Sequence, residues 1–218
     1  MSLRGARTLP QTLSRVLESI DVAAAARSRT PCLVLTVGLP GSGKSTFSRR
    51  LAAELGAVVL ESDALRRLLF CTPSHSAEES RRLFAAIHEA ARILLSRGIS
   101  VIIDATSLKD SDRRPVYALA AETGSFLQVL HFSAPEEVIR RRLQRREAGG
   151  SGDSSSAGYE VYLRLAATME PPVRVDWRID TSDEEASRAA LEGVVAACRQ
   201  AAGSRTWWGG GVLEQATE

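Results

Sequence analysis

The chain has 218 residues, of which 44% are hydrophobic and 25% charged, with a formal net charge of +2. That length suits one α/β domain with a substantial core, and no apolar run approaches the ~18 residues that a membrane span requires. Near-neutral charge excludes a broad polybasic nucleic-acid surface, although 26 of the 28 basic residues are arginine and can still cluster locally.

The first ten residues lack the apolar core of a secretory signal. The three cysteines, Cys32, Cys71 and Cys198, are scattered and form neither a disulfide framework nor a zinc motif. A cytoplasmic protein with free thiols, no membrane contact and no stable protein partner is expected. An N-terminal amphipathic stretch then places Leu13, Val16, Leu17 and Ile20 on one helical face.

Cys32 to Val37 is a short apolar run rich in β-branched residues, the signature of a strand buried on both faces of a parallel sheet. Similar runs follow at Ala57 to Leu60, Ser100 to Ile103, Phe126 to Phe132 and Val173 to Ile179. Between them, helical spacing recurs at Phe47, Leu51 and Leu55, at Leu83, Ile87, Ala90 and Leu94, and at Val138, Ile139 and Leu143. Val116 with Leu119, and Leu191 with Val194, Val195 and Cys198, complete the set. Ser133 and Ser182 precede two of these helices in capping-box spacing. Strict alternation of strand and helix predicts a five-stranded parallel sheet, covered on both faces, with ligands at the carboxyl ends of its strands. The Gly/Ser-rich stretch 148–157 predicts a mobile lid hinge ahead of a helical stretch at Gly158 to Met169. The tail beyond Ala202, with Trp207 and Trp208, has no usable periodicity.

Gly38-Leu-Pro40-Gly41-Ser42-Gly43-Lys44-Ser45 follows the first strand and opens the first core helix, as a P-loop requires. Its glycines allow backbone N–H groups to surround phosphate oxygens, and the helix presents its positive end to the same anion. Lys44 is expected at the β- and γ-phosphates of ATP, Ser45 at Mg²⁺, and Thr46 on the first helical turn. Asp63, following the second strand, which is expected beside the P-loop strand, is a candidate general base; Ser62 or Asp63 is equally a helix N-cap. Asp104 ends the third strand in the position that holds Mg²⁺ or orients the acceptor. Arg113 and Arg114 suit either substrate contact or a solvated helix face. Five arginines between Arg140 and Arg146 crowd one helix. Spacing leaves open whether Arg142 with Arg146 or Arg141 with Arg145 faces inward.

Together Gly38 to Thr46, Ser62-Asp63-Ala64-Leu65-Arg66, Asp104-Ala105-Thr106 and the arginine-rich helix resemble the P-loop kinases related to the polynucleotide 5′-hydroxyl kinase domain, the AAA_33 ATP-binding family. The kinase that acts on seryl-tRNA in the selenocysteine pathway is similar. The resemblance spans about Leu33 to Thr181. It implies a three-layer P-loop NTPase fold with a helical lid, ATP and Mg²⁺ as cofactors, and a hydroxyl-bearing acceptor. By it, Asp63 is the general base, Arg66 contacts the acceptor-side phosphate or the transition state, and Arg142 with Arg146 are the lid arginines. Glu170-Pro171-Pro172 and Asp180-Thr181 resemble the family's closing segments, whereas Ser107 stands where many relatives carry asparagine. The expected organisation is an N-terminal helix and linker at 1–30, a kinase domain at 31–202 with its lid at about 135–170, and a tail at 203–218.

ATP-dependent transfer to a hydroxyl is the leading expectation. A polynucleotide 5′ end, a tRNA-linked serine and a small metabolite all remain open as acceptor. A nucleotide-dependent switch without a small acceptor and a kinase-type toxin are the alternatives.

Overall fold

The computed structural model describes residues 9–23, 25–147 and 158–203. The anticipated hinge at 148–157 and the tail holding Trp207 and Trp208 lie outside them. In chain order the elements are α1 (Leu9–Glu18), β1 (Cys32–Val37), α2 (Lys44–Leu55), β2 (Val58–Glu61), α3 (Ser62–Leu69), α4 (Ala77–Ser96) and β3 (Val101–Asp104). They continue as α5 (Asp110–Thr123), β4 (Phe126–Ser133), α6 (Glu136–Glu147), α7 (Tyr159–Ala166), β5 (Trp177–Asp180) and α8 (Glu184–Gly203).

All strand pairings are parallel, and the sheet runs β2-β3-β1-β4-β5. Alternate side chains along each strand enter opposite layers. Leu33, Leu35 and Val37 of β1 join Val101 and Ile103 of β3 in a core covered by α1, α4 and α5. Val34 of β1, Ile102 of β3 and Leu130 of β4 point the other way, onto Phe47 and Leu51 of α2 and Val194 and Cys198 of α8. The result is the three-layer α/β arrangement expected for a P-loop protein. α1 belongs to it, since Val16 is fully buried against the first core and Leu13, Leu17 and Ile20 pack beside it.

Four local expectations are corrected. The second strand does not lie beside the P-loop strand: β3 stands between them, pairing with β1 through Leu33↔Val101 and with β2 through Glu61↔Asp104. β5 starts at Trp177 rather than Val173, because the Asp176 carboxylate takes the Val129 N–H (2.8 Å) and Val173 is 84% exposed. Ser182 does not cap α8: its N–H and hydroxyl donate to Asp180 Oδ1, while Asp183 Oδ1 accepts from Ala186 N–H and supplies the cap. Ser133 closes β4, and the turn into α6 runs instead on the Pro135 carbonyl, which accepts from the Val138 and Ile139 N–H groups.

Candidate functional site

The P-loop curls between β1 and α2 at the carboxyl edge of the sheet. At Gly43 the backbone adopts φ 88°, and a Cβ there would lie 2.9 Å from Thr181, so both conformation and space require glycine. The loop is held from three sides. Gly38 N–H donates to Thr106 O (3.0 Å), Thr181 Oγ1 donates to Ser42 O (2.9 Å), and Arg142 Nη1 donates to Gly41 O (3.1 Å). Lys44 is buried, and its Nζ donates to Leu39 O at 2.9 Å.

A cleft of about 1110 Å³ opens in front of this loop. Pro40, Gly41, Gly43, Lys44, Ser45, Asp63, Arg66, Asp104 and Arg146 all line it; Gly38, Ser42, Thr46 and Arg142 do not. Gly38 and Ser42 are buried beneath it, and Thr46 is exposed on the first turn of α2.

Asp104 is the electrostatic centre. It is 3% exposed, and Thr36 Oγ1 donates to its Oδ1 (3.3 Å), while its Oδ2 is buried with no hydrogen-bond partner. Burial pushes its carboxyl above the ordinary range; Lys44, the Ser45 hydroxyl and Thr36 oppose the shift, and neighbouring Asp63 adds to it. A buried carboxylate oxygen without a partner beside a serine hydroxyl is a donor set suited to a hard cation that keeps waters and phosphate oxygens as its other ligands. Among the described residues no group of three or more His, Cys, Asp or Glu that could hold a metal ion is found.

Asp63 sits in the first turn of α3, half-buried, and its carboxylate faces the cleft rather than capping the helix; the N-cap position is Glu61, without a side-chain cap hydrogen bond. One turn on, Arg66 forms a buried ion pair with Glu79 and donates to Ser80 Oγ (3.3 Å). Glu79 also accepts from Ser74 N–H (2.7 Å), Ser74 Oγ (2.8 Å) and His75 N–H (3.2 Å). Burial alone would raise its carboxyl, but these bonds and the Arg66 guanidinium outweigh burial and bring it down to about 2. Sequence spacing gave no signal for this clasp, since its partners stand thirteen residues apart on different helices.

The arginine helix is sorted by packing. Arg142 donates to Gly41 O, Thr181 Oγ1 (2.7 Å) and Thr181 O (2.8 Å), bracing the P-loop, and Arg146 lines the cleft. Arg140 lies outside on Glu136 and Tyr159, and Arg141 and Arg145 are exposed. Arg113 is fully buried and donates to the carbonyls of Ser107, Leu108, Glu170 and Pro171, so it ties the loop after β3 to the chain leaving α7. Arg114 is exposed and pairs with Asp110. Neither arginine lines the cleft. Ser107, with φ 47°, holds the left-handed conformation that asparagine adopts more readily, which gives this position a backbone role.

The family AAA_33, described as an AAA domain, matches residues 33–172, more than half of the chain. The chain belongs to the AAA_33 family. An uncharacterized protein of Mycobacterium tuberculosis (strain ATCC 25618 / H37Rv) is 34% identical over 166 residues, 69% of this chain and 32% of that protein. The chain thus spans about a third of the length of such curated relatives. An adenylyl-sulfate kinase of Shewanella amazonensis is 29% identical over 73% of this chain and 81% of the enzyme. The AAA_33 fold is shared with a gluconokinase from Sinorhizobium meliloti (TM-score 0.57, 24% identity, 79% of this chain and 96% of that one). It is also shared with the Mycobacterium tuberculosis APS kinase in complex with AMPPNP and APS (TM-score 0.56, 20% identity, 76% and 96%).

Proposed function

We propose that the protein is an ATP- and Mg²⁺-dependent kinase that transfers the γ-phosphoryl group to an acceptor hydroxyl. The observation that carries this reading is that one cleft holds, among its acidic residues, two of different character: Asp104, buried beside Lys44 and Ser45, and the half-buried Asp63. The kinases among its relatives support the same reading.

On this reading the P-loop amides and Lys44 bind the β- and γ-phosphates of ATP. Ser45 Oγ and Asp104 Oδ2 would hold Mg²⁺, which would supply positive charge against the phosphate oxygens. Asp63 accepts the acceptor hydroxyl proton as the oxygen attacks the γ-phosphorus in line; the new O–P bond forms, the bond to the bridging oxygen breaks, and ADP leaves with the electron pair. Arg146, from α6, lines the cleft and would meet charge on the transferring group, and Arg142 would keep the loop shaped for it. Arg66, held by Glu79, presents the acceptor side.

The test is label transfer from γ-labelled ATP with magnesium to a panel of hydroxyl compounds. Asp63→Asn is expected to lower transfer by about 10²-fold or more while leaving ATP affinity unchanged, and Lys44→Ala to lower both. ATP hydrolysis with no labelled acceptor would instead favour a nucleotide-dependent switch.

A further inference from the structure

We propose that the acceptor is a small hydroxyl compound that also carries an anionic group, and that Arg164 and Arg81, on the α7 and α4 walls of the cleft, are the residues that select it. This inference rests on the kinase reading and names the substrate class of the same site.

Besides the P-loop residues the cleft is lined by two helical stripes. Arg81, Phe84, Ala85 and His88 of α4 recur at three- and four-residue spacing, and Val161, Arg164 and Leu165 of α7 do the same, with Thr168 one turn on. Each stripe therefore sets one guanidinium among apolar side chains. Arg164 makes no ion pair or side-chain hydrogen bond among the described residues, and Arg81 pairs only with Glu78 at a site where both side chains are mostly exposed. Such a pair contributes little and yields readily to a better anion.

The acids of the cleft make no ion pair with Arg164 or Arg81 among the described residues. Glu61 ends β2 beside Asp104, Asp63 stands in the first turn of α3, and Asp112 Oδ2 accepts the Lys109 N–H (3.0 Å) at the start of α5. His88 is kept from adding charge, because burial and the nearby Arg92 lower its proton affinity. A guanidinium facing a cleft and lacking its own carboxylate suits a planar or tetrahedral oxyanion such as carboxylate, sulfate or phosphate.

The apolar surfaces set the size of the rest of the molecule. Phe84 of α4 is the one phenyl ring among the lining residues, and Val161 and Leu165 are the apolar side chains that α7 adds. That suits one compact body and not the repeated stacking of a single strand. The volume of about 1110 Å³ exceeds a typical pocket of roughly 300 to 1,000 Å³, as expected of a cleft that takes the phosphate end of a nucleotide and a second small ligand together.

The experiment offers γ-labelled ATP and magnesium with matched acceptors: nucleosides and their monophosphates, sugars and their acid or phosphate forms, and a 5′-hydroxyl oligonucleotide. The charged member of a pair is expected to be labelled in preference to its neutral partner. Arg164→Gln, at an exposed side chain, then raises the KM for that acceptor by about ten-fold or more with little change in kcat or in the KM for ATP; Arg81→Gln acts in the same direction, and Arg164→Lys recovers part of the loss. Equal labelling of neutral and charged partners, an acceptor KM unmoved by both glutamine variants, or transfer to the oligonucleotide alone would each overturn the inference. No labelled acceptor at all, with ATP still bound, overturns the kinase reading itself.

Discussion

Glu79 shows how a single side chain can fix one wall of the cleft. Its carboxylate takes the Arg66 guanidinium, two backbone N–H groups and the Ser74 hydroxyl, and it holds His75 at a left-handed φ of 54° on the rim. Glu79→Gln leaves the buried Arg66 guanidinium without its counter-charge, and is expected to lower stability by about 3 kcal/mol in urea denaturation. The pH dependence follows from the depressed carboxyl. A group whose folded pKa lies below its unfolded value stabilises above the unfolded value, and the stabilisation is lost as pH falls through the folded one. The difference between wild type and Glu79→Gln should therefore be full above about pH 4.5 and shrink as pH falls towards about 2. A difference independent of pH over that window would mean that the carboxylate charge is not what holds the clasp.

Elements in this fold were legible in the sequence wherever a local pattern carries the cause. Cys32 to Val37 reads as a strand because every one of its positions is buried, and the P-loop reads from eight consecutive residues whose roles are all local. Strand order did not read, since an apolar run on β3 contains nothing that says it inserts between β1 and β2. The start of β5 misled because Val173, though β-branched, faces solvent and only Ile179 of that strand is buried. Arg113 was ambiguous for a related reason: its partners are backbone carbonyls, which leave no mark in the sequence. It joins α5 to the loop 105–109 and to the exit from α7, where Glu170 N–H also donates to Leu108 O and Glu170 Oε2 accepts from Asp110 N–H. Arg113→Met should lower stability by about 3 kcal/mol, by leaving these carbonyls without a donor, and Arg113→Lys should recover little, since Nη1 alone meets carbonyls of both segments and the shorter lysine stem does not carry an ammonium to that point or supply the second nitrogen that faces Pro171 O. Urea midpoints measure both; a lysine variant as stable as wild type would show that charge alone, not the fork, ties the segments.

Across the whole molecule, the strand order decides where function and stability conflict. With β3 directly beside β1, Asp104 emerges under the P-loop next to Lys44 and Ser45, and the same placement buries its carboxylate to 3% exposure with Oδ2 unpartnered. A folded pKa raised above the unfolded value means that the protonated form is the one the fold favours, so the stabilising contribution is present below the unfolded value and lost as pH rises through the folded one. At neutral pH, above the unfolded value, Asp104 therefore weakens the free protein, and Asp104→Asn should stabilise it by about 1 kcal/mol in thermal or urea unfolding without nucleotide. Ligand binding reverses the ranking. Wild type should gain about 2.7 kcal/mol at a Mg²⁺-ATP concentration near 100 times the dissociation constant, and the increment due to magnesium over ATP alone should vanish in Asp104→Asn while that of ATP remains. If the asparagine variant kept the magnesium increment, the cation would be held without Asp104, and the unpaired carboxylate oxygen would need a different account. If the free variant were instead less stable than wild type, the attraction between Asp104 and Lys44 would exceed the burial penalty, and the carboxylate would belong to the core as much as to the cleft.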